Sequence, residues 1–263
     1  MTAPDELLAL ALDVAREAAE LLRERRAGEV GVAATKSTSV DVVTEADHAS
    51  EELIRRRLLD ARPDDAFLGE EGGADRGGSG VRWIVDPIDG TVNFLYGLPE
   101  YAVSIAAEVD GEMVAGVVLN PATGAEYTAT LGGGAHRDGV PLEVRAPAPL
   151  EERLVLTGFA YTPELRLLQG IAVARLLPRV RDIRRHGSAA LELCRIGEGS
   201  ADAYVEEGLN VWDWAAGLLV ATEAGASTER LPGGGGRDLV VCAPAHGYDE
   251  FRVVVEECGF LAS

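Results

Sequence analysis

Asp86-Pro87-Ile88-Asp89-Gly90-Thr91 places two carboxylates, a proline, a glycine and a hydroxyl directly after the apolar run Trp83-Ile84-Val85. That run predicts a buried strand, which Pro87 is expected to end because proline has no N–H for the ladder. On one straight strand Asp86 and Asp89 would face opposite sides. A turn at the proline lets both carboxylates converge at the strand's carboxyl end. Gly90 and Thr91 then open a predicted helix, whose first N–H groups suit an anion. Two acids beside an anion cradle make electrostatic sense when cations sit between them and a phosphate. A turn in which Asp89 merely caps the helix accounts for these residues taken alone.

Three further groups could join them. Glu70-Glu71 follows the short apolar run Ala66–Leu68 and so stands at another strand end, or in a solvated loop. Asp213, between Trp212 and Trp214, begins a predicted helix, as a site residue or as its N-cap. Gly187-Ser188-Ala189 opens another, offering backbone N–H groups to a ligand or simply initiating the helix. His48, His136, His186 and His246 have no metal-like spacing.

The elements that must position these groups are legible as periodicities. Leu7, Leu8, Val14, Ala18, Leu21 and Leu22 predict a helix from Asp5 to about Arg26. A second helix is expected from Glu45 to about Leu59, with Thr44 and Asp47 as a capping box. Strands are expected at Ala66–Leu68, Arg82–Val85, Tyr101–Val109, Glu112–Leu119 and Ala125–Thr130, with hairpin turns at Asp110-Gly111 and Asp138-Gly139. The pattern changes around Pro147 and Pro149. This predicts an N-terminal α+β half, residues 1–146, carrying most of the acids, and a C-terminal α/β half, residues 147–263, supplying Asp213 and substrate contacts. In the second half helices near Pro163–Leu177, Ser188–Ile196, Asp213–Ala224 and Tyr248–Glu257 alternate with strands Val180–Arg184, Ala201–Glu206 and Leu239–Cys242. Gly233–Gly236 reads as a flexible loop tip.

The 263 residues carry a formal net charge of −20. Such a field argues against nucleic acid or an anionic membrane as partner, and repels phosphorylated molecules unless bound cations reverse it locally. Cys194, Cys242 and Cys258 are an odd set without zinc-like spacing, expected as buried thiols. Met1–Leu10 lacks a basic n-region and no apolar stretch is long enough to span a bilayer, so a cytoplasmic protein is expected. Arg175, Arg179, Arg181, Arg184 and Arg185 suit a solvated face or a subunit interface.

Glu70-Glu71, Asp86-Pro87-Ile88-Asp89-Gly90-Thr91 and Trp212-Asp213 resemble, in order and separation, the three signature regions of the inositol monophosphatase family. The likeness extends to Lys36-Ser37, Asp41 through Asp47, Gly187-Ser188-Ala189 and Ala201-Asp202-Ala203-Tyr204. It implies a layered αβαβα sandwich, a homodimer, sensitivity to lithium, and Mg²⁺-dependent hydrolysis of a phosphorylated polyol. By position Glu70, Asp86, Asp89, Asp213 and the carbonyl of Ile88 would ligate two or three Mg²⁺ ions, for which oxygen-only ligands suit. Glu70 with Thr91 would orient and deprotonate the attacking water. Asp89, Gly90, Thr91, Gly187, Ser188, Ala189, Glu206 and Asp213 would contact substrate, Glu206 by accepting from a hydroxyl. Lys36, Asp41 and Asp47 are expected around the metal site without a catalytic role.

Asn93-Phe94-Leu95-Tyr96-Gly97 and the stretch through Glu206 resemble inositol-1-monophosphatases more than other branches, with fructose 1,6-bisphosphate or another sugar phosphate as the alternative substrate. A phospho-aspartate mechanism of the haloacid dehalogenase type needs its two acids two residues apart, a position that Ile88 occupies here. A regulatory, protein-binding role on the same fold is the alternative from another class.

Overall fold

Leu7, Ala11, Val14, Ala18 and Leu22 lie on one face of helix α1 (Pro4–Arg26) and are fully buried. Pro4 sits in the first turn, where its missing N–H costs nothing, and Arg23, Arg25 and Arg26 meet the negative end of the dipole. In the computed structural model, residues 3–28, 31–35 and 42–262 are described. Lys36, Ser37 and Asp41 lie outside them. Strands β1 (Val32–Thr35) and β2 (Val42–Thr44) form an antiparallel pair that leads into α2 (Glu45–Ala61). The expected box caps α2: Thr44 N donates to Asp47 Oδ2 (2.8 Å) and Ala46 N to Thr44 Oγ1 (3.2 Å).

The larger sheet holds β3 (Ala66–Gly69), β4 (Ala74–Asp75), β5 (Val81–Asp89), β6 (Ala102–Val109), β7 (Glu112–Leu119), β8 (Glu126–Thr130), β9 (Gly134–Arg137) and β10 (Val140–Pro141). Its order is β10-β9-β8-β7-β6-β5-β3-β4, antiparallel except where β3 lies parallel to β5. Asp110-Gly111 and Asp138-Gly139 close hairpins as two-residue loops with positive φ at both positions, the geometry that matches strand twist. The smaller sheet holds β11 (Leu154–Thr157), β12 (Asp182–Arg184), β13 (Ala203–Glu207), β14 (Ala226–Pro232) and β15 (Asp238–Pro244) in the order β12-β11-β13-β15-β14. The first three are parallel, and β14 and β15 form an antiparallel hairpin.

Alternation along the strands builds the layers. Trp83 and Val85 pack on α1 and α2, while Ile84 between them packs on α5 (Ala189–Gly197) and α6 (Val211–Glu223). In β13, Tyr204 faces α5 and α6, while Ala203 and Val205 face α4 (Pro163–Leu176) and α7 (Tyr248–Cys258). The fold is therefore an αβαβα sandwich, as the resemblance implied. All three cysteines are buried and none forms a disulfide. No helix among the described residues is long and apolar enough to cross a membrane.

Several local expectations need correction. β1, β2, β4, β11 and β14 were not foreseen, and β9 and β10 only as the arms of the Asp138-Gly139 hairpin: β14 (ASTERLP) is a sheet-edge strand with a mostly polar, half-exposed pattern, and the others have four residues or fewer. The Gly233–Gly236 loop is tied down, by Gly234 N to Phe260 O (2.7 Å) and Gly235 N to Glu207 Oε1 (2.8 Å). Helix α6 starts at Val211 with Asn210 as its cap, so Asp213 is the third helical residue rather than the N-cap.

Candidate active site

β5 does not end at Pro87 but runs on to Asp89 through an irregular pairing with β6. Asp86 lies opposite Ser104 and Asp89 opposite Ala102, so three steps on β5 match two on β6. That single extra residue is a β-bulge, and it brings both aspartates to the same side of the sheet, against α5 and α6. Pro87 is tolerated because the bulge asks no ladder N–H of it. The bulge is braced by Ile88 N donating to Asp86 Oδ1 (3.0 Å) and Ser50 Oγ donating to the Pro87 carbonyl (3.3 Å).

Parallel pairing sets Gly69 beside Val85, so Glu70 leaves β3 at the end where Asp86 leaves the regular part of β5. Asp213 arrives from the first turn of α6, its Oδ2 accepting from Asn210 N at 2.5 Å. Carboxylate oxygens of Glu70, Asp86 and Asp213 lie within 4.8 Å of one another. Burial, then the charges of Glu70 and Asp89, push the Asp86 and Asp213 carboxyls well above their usual range.

Asp89 is held by the start of α5. Ser188 Oγ (2.6 Å), Ala190 N (2.7 Å) and Ala189 N (3.2 Å) all donate to its carboxylate. Burial still raises it to about 7 against those donors. Asn93 ties this loop down by donating from Nδ2 to the carbonyls of Glu100 (2.6 Å) and His186 (2.7 Å). Gly90 adopts φ +96°, and a Cβ there would stand 2.8 Å from the Glu100 carbonyl, so only glycine fits before α3 (Thr91–Tyr96). Thr91 Oγ1 lies 2.9 Å from Asp47 Oδ1 and 3.1 Å from the Ile88 carbonyl.

These residues open onto one pocket of about 390 Å³. It is lined by every site residue expected from the sequence: Glu70, Asp86, Ile88, Asp89, Gly90, Thr91, Gly187, Ser188, Ala189, Glu206 and Asp213. Glu206 stands on β13, its Oε2 accepting from Tyr204 Oη at 2.7 Å. Burial lifts its carboxyl to about 7, against the Tyr204 hydrogen bond and the Arg185 charge. Gly158 makes room for it, since a Cβ there would lie 1.9 Å from Glu206 Oε2.

The family model described as the inositol monophosphatase family matches residues 3–255. The chain belongs to the inositol monophosphatase family. The inositol-1-monophosphatase of Mycobacterium leprae is 47% identical over 261 residues, covering 91% of this chain and 90% of that protein. The solved structure of Mycobacterium tuberculosis SuhB matches with a TM-score of 0.86 at 41% identity, over 99% of this chain and 100% of that one. A relative named Nus factor SuhB, from Pasteurella multocida, is 36% identical over 87% of this chain and 86% of its own length.

Membership of the inositol monophosphatase family implies a phosphatase, a phosphorylated substrate and a metal. The acidic cluster fits a hard cation: its donors are all oxygen, three carboxylates converge within 4.8 Å, and burial and then mutual repulsion raise Asp86 and Asp213, both of which a bound cation would offset. Asp47, expected both in the α2 capping box and around the site, takes Thr44 with one oxygen and reaches Thr91 with the other. The loop from Phe159 to Thr162, Arg185 and Arg237 also line the pocket and escaped the sequence, because no motif marks them.

Proposed function

We propose that this chain is a Mg²⁺-dependent phosphate monoester hydrolase acting on a phosphorylated polyol, with inositol 1-phosphate as the preferred substrate. The observation that carries this reading is the convergence of Glu70, Asp86 and Asp213 in the pocket that Thr91 and Glu206 also line. Glu70, Asp86, Asp89, Asp213 and the Ile88 carbonyl would hold the ions. Mg²⁺, when bound, supplies Lewis-acid polarisation of the phosphoryl oxygens and neutralises charge on the leaving alkoxide.

The chain's own groups do the rest. Thr91 donates its hydroxyl hydrogen to Asp47 Oδ1 or to the Ile88 carbonyl, which leaves its oxygen free to accept from a water. Glu70 takes that water's proton as the new P–O bond forms and the ester P–O bond breaks. The N–H groups of Gly90 and Thr91 hold the phosphate at the start of α3. Glu206 accepts a hydrogen bond from a polyol hydroxyl at the other end of the pocket. The wall of Gly187, Ser188 and Ala189 bounds the site and fixes Asp89. No carboxylate is positioned by this scheme as a phosphoryl acceptor.

Hydrolysis of inositol 1-phosphate, fructose 1,6-bisphosphate and a simple aryl phosphate should be measured side by side, with Mg²⁺ and after exhaustive chelation. Mg²⁺-dependent turnover highest on inositol 1-phosphate is expected. Full activity after chelation overturns the metal assignment, and a preference for the bisphosphate moves the substrate to the sugar branch. The relative named Nus factor SuhB supports a second reading, a regulatory role through a protein partner. A folded protein without Mg²⁺-stimulated hydrolysis would favour that reading.

A further inference from the structure

Glu51 is a carboxylate on α2 with only 6% of its surface exposed, and the chemistry just described leaves it without a task. Each of its oxygens takes one backbone donor from the turn that carries Glu70. Oε2 accepts from Glu71 N at 2.7 Å and Oε1 from Gly73 N at 2.9 Å. The turn closes on itself through Gly69 N to Gly73 O (2.7 Å) and is pinned to β5 through Glu70 N to Val85 O (3.2 Å). Glycine brackets the contact on both sides. A Cβ on Gly69 would lie 2.3 Å from Glu51 Oε2, and one on Gly73 would lie 2.7 Å from Oε1. The backbone has thus been left bare where this side chain must enter.

Asp47, Ser50 and Glu51 share one face of α2, spaced as neighbours on a helix surface. From that face Asp47 meets Thr91, Ser50 meets the Pro87 carbonyl at the bulge, and Glu51 meets the Glu70 turn. One helix therefore registers three separate segments of the site against one another. We infer that Glu51 is a positioning residue for Glu70, setting cation affinity through the turn it clamps without touching the cation. This rests on the reading of Glu70 as a metal ligand. A carboxylate suits the task because it only accepts, and both of its partners are N–H groups.

The test is the Mg²⁺ dissociation constant of the full chain, read by calorimetry and by the Mg²⁺-induced shift in unfolding midpoint. Glu51→Gln turns an amide donor toward one of the two N–H groups and should weaken Mg²⁺ binding by roughly 10–100-fold, the usual effect of losing an outer contact to a ligand. Gly73→Ala attacks the same contact from the turn while keeping the carboxylate, and should act in the same direction. Leu58→Ala, at a fully buried core position on the same helix, should lower the unfolding midpoint in chelator yet leave the Mg²⁺ constant within about twofold. A wild-type protein that shows no Mg²⁺ binding overturns the metal reading and this role with it. Wild-type Mg²⁺ binding that Glu51→Gln or Gly73→Ala retains undiminished, or that Leu58→Ala weakens equally, overturns the role of Glu51 alone.

Discussion

Thr91 Oγ1 stands 2.9 Å from Asp47 Oδ1, a contact between residues 44 positions apart. Asp47 is fully buried at the start of α2, and its other oxygen accepts from both the amide and the hydroxyl of Thr44 (2.8 and 2.6 Å). Burial raises its carboxyl, while the hydrogen bonds from Thr44 and Thr91 oppose that rise and favour the ionised, accepting form. A helix cap and a hydroxyl-orienting acid are the same side chain.

Thr91→Ala should therefore lose about 10²–10⁴-fold in kcat, the usual worth of placing a group for proton transfer, while Mg²⁺ binding and the fold persist. Asp47→Asn should lower kcat in the same direction, since an amide holds the hydroxyl less well than a carboxylate. Steady-state kinetics beside Mg²⁺ calorimetry separates the effects. Wild-type kcat in Thr91→Ala would refute the role given to this hydroxyl.

Asp213→Asn should cost far more activity than stability. The asparagine oxygen can still accept from Asn210 N, so α6 keeps its start, while the acidic cluster loses a charge. In chelator the unfolding midpoint should stay or rise, because a repelling carboxylate has gone. The Mg²⁺-induced increase should shrink markedly. If that increase matched wild type, Asp213 would be only part of the capping box.

The raised acids predict a definite pH dependence for the metal-free protein. A carboxyl whose pKa is higher folded than unfolded holds its proton more tightly in the folded state, so folding is favoured at low pH. Asp89 and Glu206 rise to about 7, and Asp86 and Asp213 rise as well, from the ordinary value near 4. Stability in chelator should therefore fall as pH climbs from about 4 through about 7. Added Mg²⁺, which competes with those protons, should raise the unfolding midpoint more at pH 8 than at pH 5.5. A Mg²⁺ effect independent of pH would count against the shared acidic site.

Glu206→Gln should weaken turnover of inositol 1-phosphate while sparing an aryl phosphate that has no hydroxyl to offer. The loss in kcat/KM should be roughly tenfold or more, the worth of a hydrogen bond to a charged acceptor. Tyr204 Oη can still donate to the amide oxygen, so the side chain keeps its place. Equal losses on both substrates would point instead to damage at the acidic cluster.

Periodicity and turn chemistry belong to neighbouring residues, and those features were legible in the chain. The α1 stripe, the Thr44 cap, both Asp-Gly hairpins and the signature acids needed no tertiary information. Edge strand β14 was not legible, because it is paired on one side only and most of its side chains stay exposed or half-exposed, so no continuous apolar alternation announces it.

Where side chains point was decided by pairing and packing. Asp86 and Asp89 share a face only because β5 bulges against β6, a register set by strand partners rather than by spacing. Glu206 and Glu207 look interchangeable in the chain. The pleat turns Glu206 toward Tyr204 and the pocket, while the carboxylate of Glu207 is taken by Gly235 and Arg237 N–H groups. Alternation assigns a residue to one side of a strand, but what lies on that side exists only once the layers have packed.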